Sequence, residues 1–189
     1  MNFEDYLQGL LPMPKPKAQL IAGYLKNDQL AKGTIFLREG QISRFSYFLA
    51  EGFIRCFTVD TAGNQITTRI FSAPDFINDY QSFFKQEPTL ENYEALTDCQ
   101  VKTLDLKTAQ YCFHEIPEFR EWGRMMLTMN YVSLHQHFLS MHKETAEQRY
   151  LKLLEQKPEI IQAVPLKIIA SYLGMTDTSL SRIRRQLRK

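Results

Sequence analysis

The stretch LKIIASYLGMTDTSLSRIRRQLRK, Leu166 to Lys189, holds two helical patterns broken at a glycine. Over 166–173, Ile169, Ala170 and Leu173 fall on one side of a helix. Over 178–188, Leu180, Ile183 and Leu187 do the same. Ala170 is small enough to let a second helix cross closely. Gly174 stands at the first helix's end, where left-handed backbone costs least. Met175 is an apolar plug inside the turn, and either Thr176 or Asp177 can cap the helix that follows. A small residue, a Gly four on, an apolar neighbour, then apolar residues six and nine past the Gly make a helix-turn-helix pattern.

With Leu180 and Ile183 turned inward, Asp177, Thr178, Ser179, Ser181, Arg182 and Arg185 are left for the outer side or the flanks. Arg182 and Arg185 share a face at i, i+3 spacing, and an Arg fork can grip guanine O6 and N7 or a phosphate. Thr178, Ser179 and Ser181 are short donors that let a helix sink into the major groove. Arg184, Arg188 and Lys189 suit phosphate contacts, which add affinity without sequence information. The competing reading is an αα-hairpin with a solvated basic face.

The charge balance agrees with the first reading. From Lys143 onward ten Lys and Arg stand against five acids, whereas the whole chain is only +2, so the body before it is net acidic. A basic end on a mildly acidic body is the asymmetry expected when one end meets a polyanion. At 189 residues, 44% hydrophobic and 23% charged, the chain has the composition of an ordinary globular protein. The N-terminus MNFEDYLQGLL carries acids where a signal peptide needs bases, and no window is apolar enough to span a bilayer. The expected location is the cytoplasm. Cys56, Cys99 and Cys112 are too scattered for a disulfide framework or a metal cluster and are expected reduced, in or near a core. His135, His137 and His142 lack metal-binding spacing.

Before the tail, two helical segments, 3–11 and 17–25, flank the breaker PMPKP. From Gln29 the pattern becomes β: TIFLREG, YFLAEGFIRCFTV and QITTRIF, punctuated by Gly33, Gly40, Gly52 and Gly63. DTAGN between Val59 and Gln65 is a hairpin turn. ENYEAL and QVKTLDL are read as a later strand pair, and DYQSFF as a short helix. After Pro117 the period is helical to about His142. Leu127, Tyr131, Leu134, Phe138 and Met141 form a heptad stripe; Phe119, Trp122, Met126 and Met129 form a second on another face. Two apolar faces need two partners: the chain's own β unit and the same helix of a second subunit, or else a fully buried position in a monomer. KETAEQRYLKLLEQKPEI then gives an amphipathic helix stopped before Pro158.

These segments together resemble the Crp/Fnr family of bacterial transcription regulators over almost the whole chain. KGTIFLREGQ, YFLAEGFIRCF and DFIN resemble the family's sensor domain, the helix after Pro117 its dimerisation helix, and ASYLGMTDTSLSRIRR its helix-turn-helix. The resemblance implies an α+β chain. Its parts would be an antiparallel β-roll of the cyclic-nucleotide-binding jelly-roll kind with N-terminal helices (1–113), a long dimerisation helix (114–142) and an all-α DNA-binding unit (143–189). It further implies base contacts from Thr178, Ser179 and Arg182, within a DNA-binding set of Thr176, Asp177, Thr178, Ser179, Ser181, Arg182, Arg184, Arg185, Arg188 and Lys189. In the family, a Gly-Glu pair and an Arg-Ser pair hold the cyclic nucleotide. Here those positions read Asn78-Asp79 and Thr89-Leu90, and Lys85 is the sole cation between Asn78 and Ala95. A buried phosphate would lack its bidentate partner. Cyclic AMP is therefore not expected, and those four residues mark a candidate pocket for a different effector or for none. A β wing, common after the family's recognition helix, is missing from the residues that follow Arg185.

The resulting expectation is a homodimeric DNA-binding regulator, not an enzyme. Its partners would be double-stranded DNA, a second copy of the chain, RNA polymerase and a small-molecule effector of unassigned identity. No cofactor, metal or membrane partner is expected. The alternative is a sensor or protein-interaction module whose helix-turn-helix does not touch DNA.

Overall fold

The computed structural model describes residues 1–187. Helices α1 (Phe3–Leu10) and α2 (Lys15–Ala22) lead into eight strands: β1 (Lys26–Leu30), β2 (Ile35–Leu37), β3 (Phe45–Glu51), β4 (Phe53–Val59), β5 (Gln65–Ser72), β6 (Asp75–Ile77), β7 (Asn92–Ala95) and β8 (Cys99–Asp105). Helix α3 (Tyr80–Lys85) interrupts them after β6. The strands form two antiparallel four-stranded sheets, ordered β1-β8-β3-β6 and β2-β7-β4-β5. This is the expected β-roll, with one difference. ENYEAL and QVKTLDL are both strands, but β7 and β8 lie in different sheets rather than pairing with each other. The chain changes sheet between them, as it does at Gly52 between β3 and β4. Gly52 has φ +103°, and a Cβ there would overlap Cys99 Sγ and the Asp98 carbonyl, so two corners meet where no side chain fits.

Strand β3 is covered on both faces, which is why SYFLA reads as a continuous apolar run rather than an alternation. Leu49 joins Ile54, Cys56, Phe71, Ile77 and Val101 between the sheets. Phe48 faces the other way, into a core with Phe3, Phe76, Phe119 and Trp122. The three cysteines are free and buried.

Helix α4 (Leu106–Glu115), N-capped by Asp105 through Thr108 N, leads to the 27-residue α5 (Pro117–Lys143). Phe119, Trp122 and Met126 of α5 are buried against the outer face of the first sheet and α1, at about 1.5–3 kcal/mol per side chain. Met129, expected on the same stripe, is 50% exposed, because contact with this core ends at Met126. The heptad stripe points elsewhere: Leu127, Tyr131, Leu134 and Phe138 are all exposed, while Met141 is half-buried.

Helices α6 (Ala146–Gln156), α7 (Pro158–Ala163), α8 (Leu166–Tyr172) and α9 (Asp177–Leu187) complete the described chain. Thr145 and Gln148 close a capping box at the start of α6. Tyr150, Leu153, Ile160, Ile169, Ala170, Leu180 and Ile183 share one core that also takes in Ile70 of β5 and Leu96. The C-terminal helices therefore sit on the roll of their own chain. Ser171 Oγ accepts from Thr67 N (2.8 Å) and donates to the Gln65 carbonyl (3.2 Å), pinning α8 to β5.

Candidate nucleic-acid interface and the interior of the roll

The turn between α8 and α9 is built as its residues dictate. Ala170 is fully buried, its carbonyl accepts from Met175 N (3.0 Å), and Gly174 takes φ +64°. A Cβ on Gly174 would fall 2.5 Å from Met141 Cε, so the glycine also admits the end of α5. Arg149 of α6 completes the turn: its Nε donates to the Leu173 carbonyl (2.9 Å) and its Nη1 to the Glu144 carbonyl (2.6 Å). One guanidinium thus satisfies the exposed C-terminal carbonyls of two helices. Sequence reading missed this residue, since nothing in the pattern of α6 distinguishes it from a solvated Arg.

Of the two possible caps, Thr176 is the one used. Its Oγ1 accepts from Ser179 N (3.2 Å), and its hydroxyl also bonds Thr178 Oγ1 (2.9 Å) and Ser179 Oγ (3.0 Å). Leu180 and Ile183 are buried as expected; Leu187, expected on the same side, is 43% exposed and lies outside their core, beyond its last buried residue Ile183. Asp177, Thr178, Ser181, Arg182 and Arg185 come together around one shallow surface hollow. Ser179 and Arg184 are half-buried on the flanks. Arg188 and Lys189 lie outside the described residues. Among the described residues, Arg182 and Arg185 have no carboxylate within ion-pair distance and no side-chain hydrogen bond, as is also true of Arg38, Arg44 and Arg184, whereas Arg55, Arg69, Arg120, Arg124 and Arg149 are engaged. The outer face of α9 is a row of two guanidiniums, two hydroxyls and one carboxylate at the helix N-terminus.

Of the four residues expected to mark an effector pocket, Asp79 and Thr89 are joined by a hydrogen bond, while Asn78 and Leu90 point elsewhere. Asp79 caps α3, accepting from Ser82 N (2.9 Å), and its other oxygen accepts a short hydrogen bond from the Thr89 hydroxyl. Asn78 lies on the wall of a cavity between the first sheet and α3, α4 and α5, where its Oδ1 is buried with no hydrogen-bond partner. Leu90 is 68% exposed. Nearby, Glu91 accepts from the Thr68 hydroxyl, and buried Arg55 is held by Glu94 (Nε to Oε2, 2.7 Å) and Gln65 (2.6 Å) over the Phe57 ring. Lys85 is exposed. Arg55 and Glu94 alternate with Ile54, Cys56, Tyr93 and Ala95 of the inter-sheet core, so their pair lies on the outer face of the second sheet. On the inner face Asp79 and Glu91 are bonded to hydroxyls, and Arg69, over the Phe71 ring, donates to Asn130. Burial pushes the Cys56 thiol well above its ordinary range, which keeps it protonated.

At the junction of roll and helix-turn-helix, the His137 ring stacks on Tyr172 of α8, with centroids 4.8 Å apart. Burial, and secondarily the positive charges of Arg149 and Arg69, hold its pKa below the ordinary histidine value. Among the described residues no group of His, Cys, Asp and Glu is placed to hold a metal ion, and no helix is long and apolar enough to cross a membrane.

Residues 28–115 match the cyclic nucleotide-binding domain family. Similar solved structures extend the likeness over the chain. FixK2 from Bradyrhizobium japonicum is 17% identical, with a TM-score of 0.73 over 87% of this chain and 84% of its own. The c-di-GMP responsive global regulator CLP of Xanthomonas campestris is 13% identical, with a TM-score of 0.72 over 93% and 92%. A structure from Eubacterium rectale, assigned to the Crp/Fnr family of transcriptional regulators, is 15% identical with a TM-score of 0.69 over 95% and 88%. The chain has the Crp/Fnr fold. The resemblance read from its β segments, long helix and C-terminal pattern holds at that level. No curated protein sequence matches the chain. In this Crp/Fnr fold, α5 is the long helix, and α8 and α9 stand where the helix-turn-helix was read.

Proposed function

We propose that the chain is a Crp/Fnr-type transcription regulator that acts as a homodimer, reads DNA through α9 and does not respond to cyclic AMP. One observation carries the reading: α9 buries Leu180 and Ile183 while Asp177, Thr178, Ser181, Arg182 and Arg185 share one exposed face, its two guanidiniums without partners among the described residues. Arg182 and Thr178 are the base readers; Ser181 and Asp177 complete the groove face, an aspartate being able to accept from cytosine N4. Arg184 and Arg185 take phosphates. Ser179, half-buried and bonded to Thr176, supports the cap more than it reads bases. The absent cyclic-AMP response rests on the segment from Asn78 to Ala95, whose one cation, Lys85, is exposed and whose Asp79 and Thr89 bond each other.

Residues 1–113 form the sensor, 114–142 the dimerisation helix and 143–189 the DNA-binding unit. The exposed stripe of Leu127, Tyr131, Leu134 and Phe138 is the subunit seam, since four large apolar side chains at heptad spacing on one face are what a partner helix covers. Two-fold symmetry then calls for a near-palindromic site with half-sites roughly one helical turn, or about 10 bp, apart. The protein works in the cytoplasm and is not an enzyme, with RNA polymerase as its downstream partner.

The test is a binding titration on duplexes selected from random sequence, repeated across salt concentrations. Binding that weakens steeply with salt, by a log–log slope of about −0.9 per phosphate neutralised, is the expected result. No binding even at low salt would leave a sensor or interaction module instead. Leu134→Glu should convert the dimer to a monomer in sedimentation; an unchanged mass would remove the seam assignment.

A further inference from the structure

The cavity on which Asn78 borders is not the interior of the roll. It lies on the other face of the first sheet, beneath α5, and encloses about 500 Å³. That is within the roughly 300–1,000 Å³ that drug-sized ligands occupy. Its walls are aromatic and aliphatic: Phe76, Phe83, Leu104, Phe113, Phe119 and Trp122. Two of the lining residues carry a polar atom buried without a partner, the Asn78 side-chain carbonyl and the Trp122 indole N–H. Buried polar groups are nearly always bonded, so two on one cavity are a recognition feature in want of a guest. Asn78 follows Ile77, whose side chain faces the inter-sheet core, and precedes Asp79, which bonds inside the roll; strand alternation turns Asn78 away from both.

The charged wall residues limit what the guest can be. Arg120 donates to the Phe113 and His114 carbonyls (both 2.9 Å), and Arg124 pairs with Glu121. With both guanidiniums committed, nothing here neutralises an anion. A Cβ at Gly123 would fall 2.5 Å from Phe113 Cε1, so a glycine inside α5, unfavourable for the helix, is what lets Phe113 close against it as a wall. The mouth is framed by Arg124 and Leu127, both exposed.

We infer that this cavity under α5 is a binding site for a neutral, apolar, ring-bearing small molecule that offers a hydrogen-bond donor to Asn78 and an acceptor or π face to Trp122. Its occupant would touch α5 at Trp122 and Leu127 and so bear on the long helix. Binding itself does not rest on the DNA-reading proposal, and its test below has no DNA in it.

Trp122 is the chain's single tryptophan, so intrinsic emission reports from the cavity wall. The full-length protein is titrated with N-phenyl-1-naphthylamine, a neutral aromatic amine with one N–H, while Trp122 emission is followed. Saturable quenching at one site per chain is expected, with half-saturation on the order of 10–100 µM for a ligand of that size. Ala109→Phe places a ring in the cavity and should raise half-saturation about tenfold or more. Asn78→Leu keeps the wall apolar and folded, removing a buried unpaired carbonyl, and should raise it about three- to tenfold. Asn78→Leu decides the matter if Ala109→Phe does not fold. Cyclic AMP should not displace the probe. No saturable quenching, quenching unchanged by Asn78→Leu, or displacement by cyclic AMP would each overturn the inference.

Discussion

The interior of the roll and the outer face of α9 are both rich in polar side chains, yet they differ in where those groups point. In the roll, Asp79 takes Thr89 and the N-terminus of α3, Glu91 takes Thr68, and Arg69 takes Asn130. Each polar group answers another of the same chain. On α9, Arg182 and Arg185 stand without ion pair or side-chain hydrogen bond among the described residues, beside the hydroxyls of Thr178 and Ser181. Polar groups that bond each other hold a fold; groups left facing solvent in a fixed array are available to something else. The difference favours α9, and not the pocket expected around Asp79 and Thr89, as the place where this chain meets a charged partner.

The strongest way to break the comparison is to remove what fixes the array. Leu180→Ala cuts a fully buried side chain from the core beneath α9 and should destabilise that unit by about 2–5 kcal/mol in denaturant titration. A loss under about 1 kcal/mol, the size of a surface change, would mean the row on α9 is not held by that core.

Two substitutions sharpen it from either side. Thr89→Val removes the hydroxyl that answers Asp79 and leaves a half-buried acceptor short of a partner, costing about 1–3 kcal/mol of folding stability with duplex affinity per folded dimer unchanged. Arg182→Ala should do the reverse: about 1–3 kcal/mol lost on the preferred duplex, with unfolding unaltered. Equal losses on every duplex sequence would demote Arg182 to a phosphate contact.

The smallest effect belongs to the joint between the two regions. His137 is half-buried against Tyr172, and its pKa in the folded chain is depressed, so the folded state favours the neutral ring. The unfolded chain binds its proton near the ordinary value of about 6.5. Stability from this contact is therefore present above that pH and declines as pH falls through it. His137→Phe keeps a stacked ring and should flatten the fall in melting temperature between about pH 7.5 and 5.5. A slope identical to the parent's would place the proton uptake elsewhere.

Much of the fold was legible because its signals are local. Gly174 with Ala170 and Met175 marks one turn geometry, and Leu180 and Ile183 can face only one way once it forms. The period of two in QITTRIF and the heptads after Pro117 likewise read without knowledge of distant residues. Where reading failed, the deciding neighbour was far along the chain. Nothing in ENYEAL or QVKTLDL says that one joins β2 and β4 while the other joins β1 and β3. Met129 looks like Met126 by spacing, yet the core it would join has already ended.

What the sequence alone determined is therefore most of the elements, though not β1, β6, α4 or α7, the helix-turn-helix with its inward aliphatics, and the lack of a cation in the segment from Asn78 to Ala95 other than Lys85. These follow from backbone preference and side-chain period, which act over a few residues. The tertiary structure decided which polar groups satisfy one another: that Asp79 meets Thr89 within the roll, that Asn78 turns instead toward the cavity under α5, and that Arg149 reaches Leu173 to close the turn. Hydrogen bonds and close packing act only across a few ångströms, and which residues come that near is settled by how the sheets and helices stack, not by their order along the chain.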